Sequence, residues 1–156
     1  KGRAMFSRFC FVVSVFLASL VASPAAAFEE VNTGYFNETA LQGYDSTRYF
    51  SDRQAIEGQK TYSFKWKGAD WHFADARSRD LFAANPGGYA PQYGGYCSNQ
   101  MSLGNLSDID PGVWLIHDKK LYFFGHKEGK DRWEATGIAA RIMDADLHWK
   151  EYLAKK

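Results

Sequence analysis

Apolar positions along the chain fall into three patterns, and each predicts a different kind of element. The first is a nearly unbroken run over residues 9–21, interrupted only by Ser14 and Ser19. The second is alternation. Tyr62-Ser63-Phe64-Lys65-Trp66 and Trp71-His72-Phe73 put apolar side chains on one face and polar ones on the other, as a half-buried strand requires. Lys67-Gly68-Ala69-Asp70 turns the chain between them, which predicts a β-hairpin. Val113-Trp114-Leu115-Ile116-His117 and Leu121-Tyr122-Phe123-Phe124, joined through Asp118-Lys119-Lys120, predict a second hairpin. Arg48-Tyr49-Phe50 reads as a further short strand.

The third pattern is helical. Leu81 and Phe82 fall in a helix that Asp75 or Ser78 caps and Asn85-Pro86-Gly87-Gly88 ends. Residues 127–135 and 139–154 predict two more helices, divided near Gly137. In the latter, Ile142, Ala145, Trp149 and Tyr152 recur at three- and four-residue steps and form one buried stripe. A short helix is expected over residues 95–103, stopped by Gly104. The sum is an α+β fold: a small antiparallel sheet built from two β-hairpins, with helices packed against it. No internal repeat, linker or low-complexity segment is read in the chain.

The long apolar run has its own explanation. Lys1, Arg3 and Arg8 precede or open it, and Ala22-Ser23-Pro24-Ala25-Ala26-Ala27 comes after. A basic start, an apolar centre and an Ala-x-Ala exit make a secretory signal peptide. A membrane-spanning helix needs about 20 apolar residues, and this run is shorter. Cleavage is expected after Ala27. Residues 28–156 then form a single domain in the periplasm or outside the cell, with no membrane partner.

Cleavage changes the charge and the cysteine count. Losing three basic residues leaves 16 Lys and Arg against 18 Asp and Glu, so the net charge becomes −2 instead of +1. With no basic cluster either, nucleic acid is not an expected partner. Of the two cysteines, Cys10 leaves with the leader, and Cys97 becomes a lone thiol in an oxidising compartment. No intramolecular disulfide can form.

That thiol draws several chemistries. In a helix, Cys97 and Met101 lie four apart on one face, and a thiolate with a thioether suits a soft ion such as Cu(I). His72 or His117, each near a strand end, supplies a third ligand, so Cys97, Met101 and His72 form the candidate metal set. The same imidazoles could pair with Cys97 as the dyad of a thiol-dependent enzyme. An exposed Cys97 could also link two chains into a homodimer. Tyr44, Tyr49, Tyr89, Tyr93 and Tyr96, with Asp45, offer apolar walls and hydroxyls for a small ligand. Of these, Tyr44, Asp45, Tyr93 and Tyr96 are the candidate ligand contacts, and the same Tyr-rich surface would suit a protein-interaction module. His126 and His148 are expected in surface or packing roles. No G-x-S-x-G, H-E-x-x-H or paired-cysteine motif occurs.

Several segments resemble one known family. Gly43-Tyr44-Asp45, Tyr49-Phe50, Trp71-x-Phe73, Arg79-Asp80-x-Phe82 and above all Tyr89-Ala90-Pro91-Gln92-Tyr93-Gly94-Gly95-Tyr96-Cys97 are similar to the exported, stand-alone YHS domain proteins. Trp114, Leu121-Tyr122, Trp133-Glu134 and Ala145-Asp146-x-x-Trp149 resemble the later part of those proteins. The resemblance spans about residues 38–153. It implies a YHS-like fold and a binding role, with copper or another soft metal as the implied ligand, more than a known reaction. The paired cysteines of metal-linked YHS modules are absent here.

Overall fold

Alternating residues build two antiparallel hairpins, and both close on the same kind of turn. β1 (Gln59–Trp66) pairs with β2 (Ala69–Phe73), and β3 (Asp110–His117) with β4 (Lys120–Phe124). Lys67 and Gly68 between the first two strands, and Asp118 and Lys119 between the second two, all have positive φ. Such two-residue turns match the right-handed twist of the flanking strands. The computed structural model describes residues 28–34 and 38–156. The expected signal peptide lies outside the described residues.

The fold class is α+β as expected, but the hairpins do not join into one sheet. They form two separate two-stranded sheets. The outer edge of β2 receives a parallel bridge from Thr39, and that of β4 receives one from Cys97. Among the described residues no strand pairs with the outer edges of β1 and β3. Six α-helices complete the described residues: α1 (Arg48–Ser51), α2 (Ala76–Ala84), α3 (Pro86–Tyr89), α4 (Ser98–Met101), α5 (Lys127–Ala135) and α6 (Ile138–Leu153).

Three local expectations change. Arg48-Tyr49-Phe50 belongs to α1, not to a strand. Asp45 dictates this, because its carboxylate accepts from the Thr47 amide at 2.9 Å while its carbonyl accepts from Arg48 N. Helix α4 starts only at Ser98, because Gly95 has φ +83° and Tyr96 is extended. The Asn85-Pro86 segment ends α2 and at once starts α3, with the Asn85 side chain accepting from Gly88 N.

The larger correction concerns repetition, since the chain folds as two copies of one plan. A kinked turn at Ala40–Gly43, with positive φ at Leu41 and Gln42, recurs at Gln92–Gly95, with positive φ at Tyr93 and Gly94. The order kinked turn, short helix, hairpin, helix then runs twice. From the strands onward the offset is 51 residues: β1 starts at Gln59 and β3 at Asp110, while α2 is Ala76–Ala84 and α5 Lys127–Ala135. The irregularity between Gln59 and Ser63 returns between Asp110 and Trp114. The caps of α2 and α5 match as well. Asp75 accepts from Ser78 N, and the His126 ring accepts from Gly129 N.

Each half has its own aromatic nest. Phe82 lies 4.9 Å from Trp71 and 5.1 Å from Phe73 between ring centres, and Trp133 lies 5.6 Å from Phe124. Tyr49 joins the halves. Its ring stands edge-on to Phe123 at 5.0 Å and its hydroxyl donates to the Pro111 carbonyl. Helix α6 buries Ala145 with Ile142, Trp149 and Tyr152 beside it, the stripe expected from its periodicity. Among the described residues no helix is long and apolar enough to cross a membrane.

Candidate functional site

The N-terminal arm, residues 28–34, lies across the second kinked turn and shapes the ground around it. Asn32 N donates to the Gly94 carbonyl at 2.9 Å, and Tyr96 OH donates to the Glu29 carbonyl at 3.0 Å. The approach is so close that a Cβ on Gly94 would stand 1.9 Å from the Glu30 carbonyl oxygen. Only glycine fits there, in space and in its φ of +61°. Glu30 is clamped by Lys156 and Lys67, and their hydrogen bonds hold its carboxyl below the ordinary carboxylate range.

Behind this arm sits a cleft of about 220 Å3 walled by Trp66, Trp71, Tyr93 and Trp149. The deeper rings have spent their polar atoms. Trp71 Nε1 donates to the Trp66 carbonyl at 3.1 Å, and Tyr93 OH donates to Asp146 at 3.0 Å. Burial, reinforced by Asp146, pushes the Tyr93 hydroxyl well above its ordinary pKa, so it stays a neutral donor. The shallower rings, Trp66 and Trp149, are half-buried, and among the described residues their indole N–H groups make no hydrogen bond. The cleft is therefore lined by two nearly buried aromatic rings with spent polar atoms and by two half-buried indoles. Sequence reasoning reached Tyr93 but missed the three tryptophans. They come from the first hairpin and from α6, nearly 80 residues apart, and no local pattern joins them.

The other candidate ligand contacts go elsewhere. Asp45 is fully buried and accepts from Thr47 N, from Thr47 Oγ1 at 2.7 Å and from Ala74 N at 2.8 Å. It holds a turn together. Tyr44 bonds Glu57 at 3.4 Å on the surface. Tyr96 lines a smaller hollow with Asn32 and Leu106, and burial pushes its hydroxyl up to about 12. Tyr49 is in the core and Tyr89 borders a groove beside α1. The five tyrosines do not share a pocket.

Cys97 holds the place in the second half that Asp45 holds in the first. Asp45 N donates to the Ile56 carbonyl and Cys97 N to the Ser107 carbonyl. Asp45 accepts from Ala74 N at the end of β2, and Cys97 Sγ accepts from Gly125 N at the end of β4, at 3.3 Å. The thiol is 3 % exposed and lines neither the aromatic cleft nor the groove beside α1. Met101 is fully buried one turn on, its amide donating to the Cys97 carbonyl. His72 lies in the first half, its Nδ1 facing Gly43. His117 pairs with Asp118 at the turn of the second hairpin. No side-chain interaction joins Cys97, Met101 and His72, and among the described residues no three His, Cys, Asp or Glu side chains gather as a metal site. His126 acts in packing, as the α5 cap, and His148 sits against Gly104 and Glu151. No family model matches the chain, and neither does a curated protein or a solved structure.

Proposed function

We propose that the chain is an exported, non-catalytic binding module of the YHS kind that holds a small single-ring molecule in the Trp66–Trp71–Tyr93–Trp149 cleft. The observation that carries this reading is the division of labour within the cleft. Its inner rings, Trp71 and Tyr93, have satisfied polar atoms, while the half-buried Trp66 and Trp149 add ring surface and indole N–H groups that make no hydrogen bond among the described residues. Flat faces favour stacking, and free N–H groups favour a ligand with acceptor atoms at its rim. Size narrows the class, since pockets for drug-sized ligands measure about 300–1,000 Å3 and this cleft is smaller.

Phenol, pyridine and glucose are suitable probes, and the five tryptophan indole N–H signals report on them separately by NMR. Saturable shifts are expected at Trp66 and Trp149, lost in Trp149→Ala, with Trp114 unmoved. If no probe shifts any indole signal, the cleft is only packing. Copper at Cys97 is tested separately by titrating reduced protein with Cu(I) against a competing chelator. Burial of the thiol and its bond to Gly125 lead us to expect equal, weak uptake by the wild type and Cys97→Ser. Strong uptake lost in Cys97→Ser would move the binding role to the thiol.

A further inference from the structure

The two halves differ most in the helix that succeeds α2 in one and α5 in the other, and the difference leaves a groove uncovered. Helix α5 leads into α6, sixteen residues long, whereas α2 leads into α3, only four. In the second half α6 lies over α4. Arg141 Nη1 donates to Ser102 Oγ at 3.3 Å, and Tyr152 OH donates to the Gly104 carbonyl at 2.8 Å. Ser102 and Gly104 correspond to Phe50 and Asp52 in the first half. There the short α3 reaches only Phe50, whose ring meets Tyr89 edge-on at 5.6 Å. Beyond that contact an open groove of about 500 Å3 runs between α1 and α2, past Arg48, Asp52, Arg77 and Leu81. One half of the molecule thus shows a helix seated where the other half has an open channel.

The same chain carries a helix face that needs a place. The outer side of α6 exposes Met143 at 73 % and Leu147 at 57 %, one turn apart on a single ridge. Leu81 in the groove is also largely exposed for its type, at 42 %. The charges complement one another. Arg48 is tied to Asp45, Asp52 and Asp75, but Arg77 has no ion pair among the described residues. Asp144, next to Met143, has none either.

We propose that the protein self-associates by seating the Met143–Leu147 ridge of one copy in the α1–α2 groove of a second, with Asp144 facing Arg77. Ridge and groove are different surfaces, so the contact is head-to-tail. Reciprocated across a two-fold axis it closes a dimer, and unreciprocated it grows into longer chains with concentration. Cys97 takes no part, because its thiol is buried.

Sedimentation velocity on the purified protein, in reducing buffer, tests this. Association is expected with a dissociation constant on the order of 1–100 μM. Leu81→Glu and Leu147→Glu each abolish it, and circular dichroism should show both variants folded, since both sites are exposed. An equimolar mixture of the two variants regains a two-chain species, because one supplies an intact ridge and the other an intact groove. Arg77→Glu weakens association at least about tenfold, and adding Asp144→Lys restores it. The proposal is overturned if the protein stays monomeric across that concentration range, if association survives either leucine variant, or if the mixture stays monomeric.

Discussion

Asp45 and Cys97 solve the same structural task with different atoms. Each ties the start of a short helix to the amide that ends a hairpin, Ala74 in one half and Gly125 in the other. The carboxylate does more, since it also holds the Thr47 amide and hydroxyl. Asp45→Ala should therefore cost about 2–4 kcal/mol, leaving buried donors without acceptors. Cys97→Ser keeps an acceptor, whereas Cys97→Val keeps the bulk and removes it. Val is expected to be the less stable by about 1–2 kcal/mol in urea unfolding, the penalty of an orphaned amide. Equal stability would mean that the sulfur contributes only volume. The sequence made Cys97 conspicuous through the expected loss of Cys10 with the leader. It could not show that a backbone amide is the partner, because Gly125 is 28 residues away on another element.

At the scale of elements, alternation and capping carried most of the information. Both hairpins, the Asp75 cap and the break near Gly137 stand where the residues place them. Arg48-Tyr49-Phe50 was ambiguous because three apolar or amphipathic residues are too short for any period to declare itself. The N-terminal arm was illegible for a different reason. Its order comes from Gly94, Tyr96, Lys67 and Lys156, all distant in the chain. This arm is also expected to respond to pH. The Glu30 carboxyl is held below its ordinary value of 4.5, so its contribution is present above that pH and fades as the pH falls through the lowered value. Acidification is expected to raise amide exchange over residues 29–33, measured relative to the intrinsic rate at each pH, before the hairpins respond. Gly94→Ala should raise it at neutral pH, because the arm must lift off the new Cβ. An arm equally protected in both conditions would show that it is held by other means.

For the molecule as a whole, the two-copy plan stayed hidden because the copies preserve roles more than residues. Trp71 answers to Tyr122, Phe82 to Trp133, Asp75 to His126, and the Lys67-Gly68 turn to Asp118-Lys119. Only Gly43-Tyr44-x-Ser46 and Gly95-Tyr96-x-Ser98 recur nearly letter for letter. Burial needs a large flat side chain and a cap needs an acceptor, and several residue types meet each need. The open groove was equally invisible, since it results from α3 stopping after one turn where α6 continues.

The unpaired outer edge of β3 has one more consequence. Val113, Trp114, Leu115 and Ile116 are only half-covered there, and this run of β-formers could template strand addition from an unfolding neighbour. Arg53, Lys127 and Lys130 surround it and set like charges against any identical strand that approaches. Lys127 and Lys130 are themselves paired with Asp131 and Glu134, so Arg53 is the cation placed to act as the main gatekeeper of this edge.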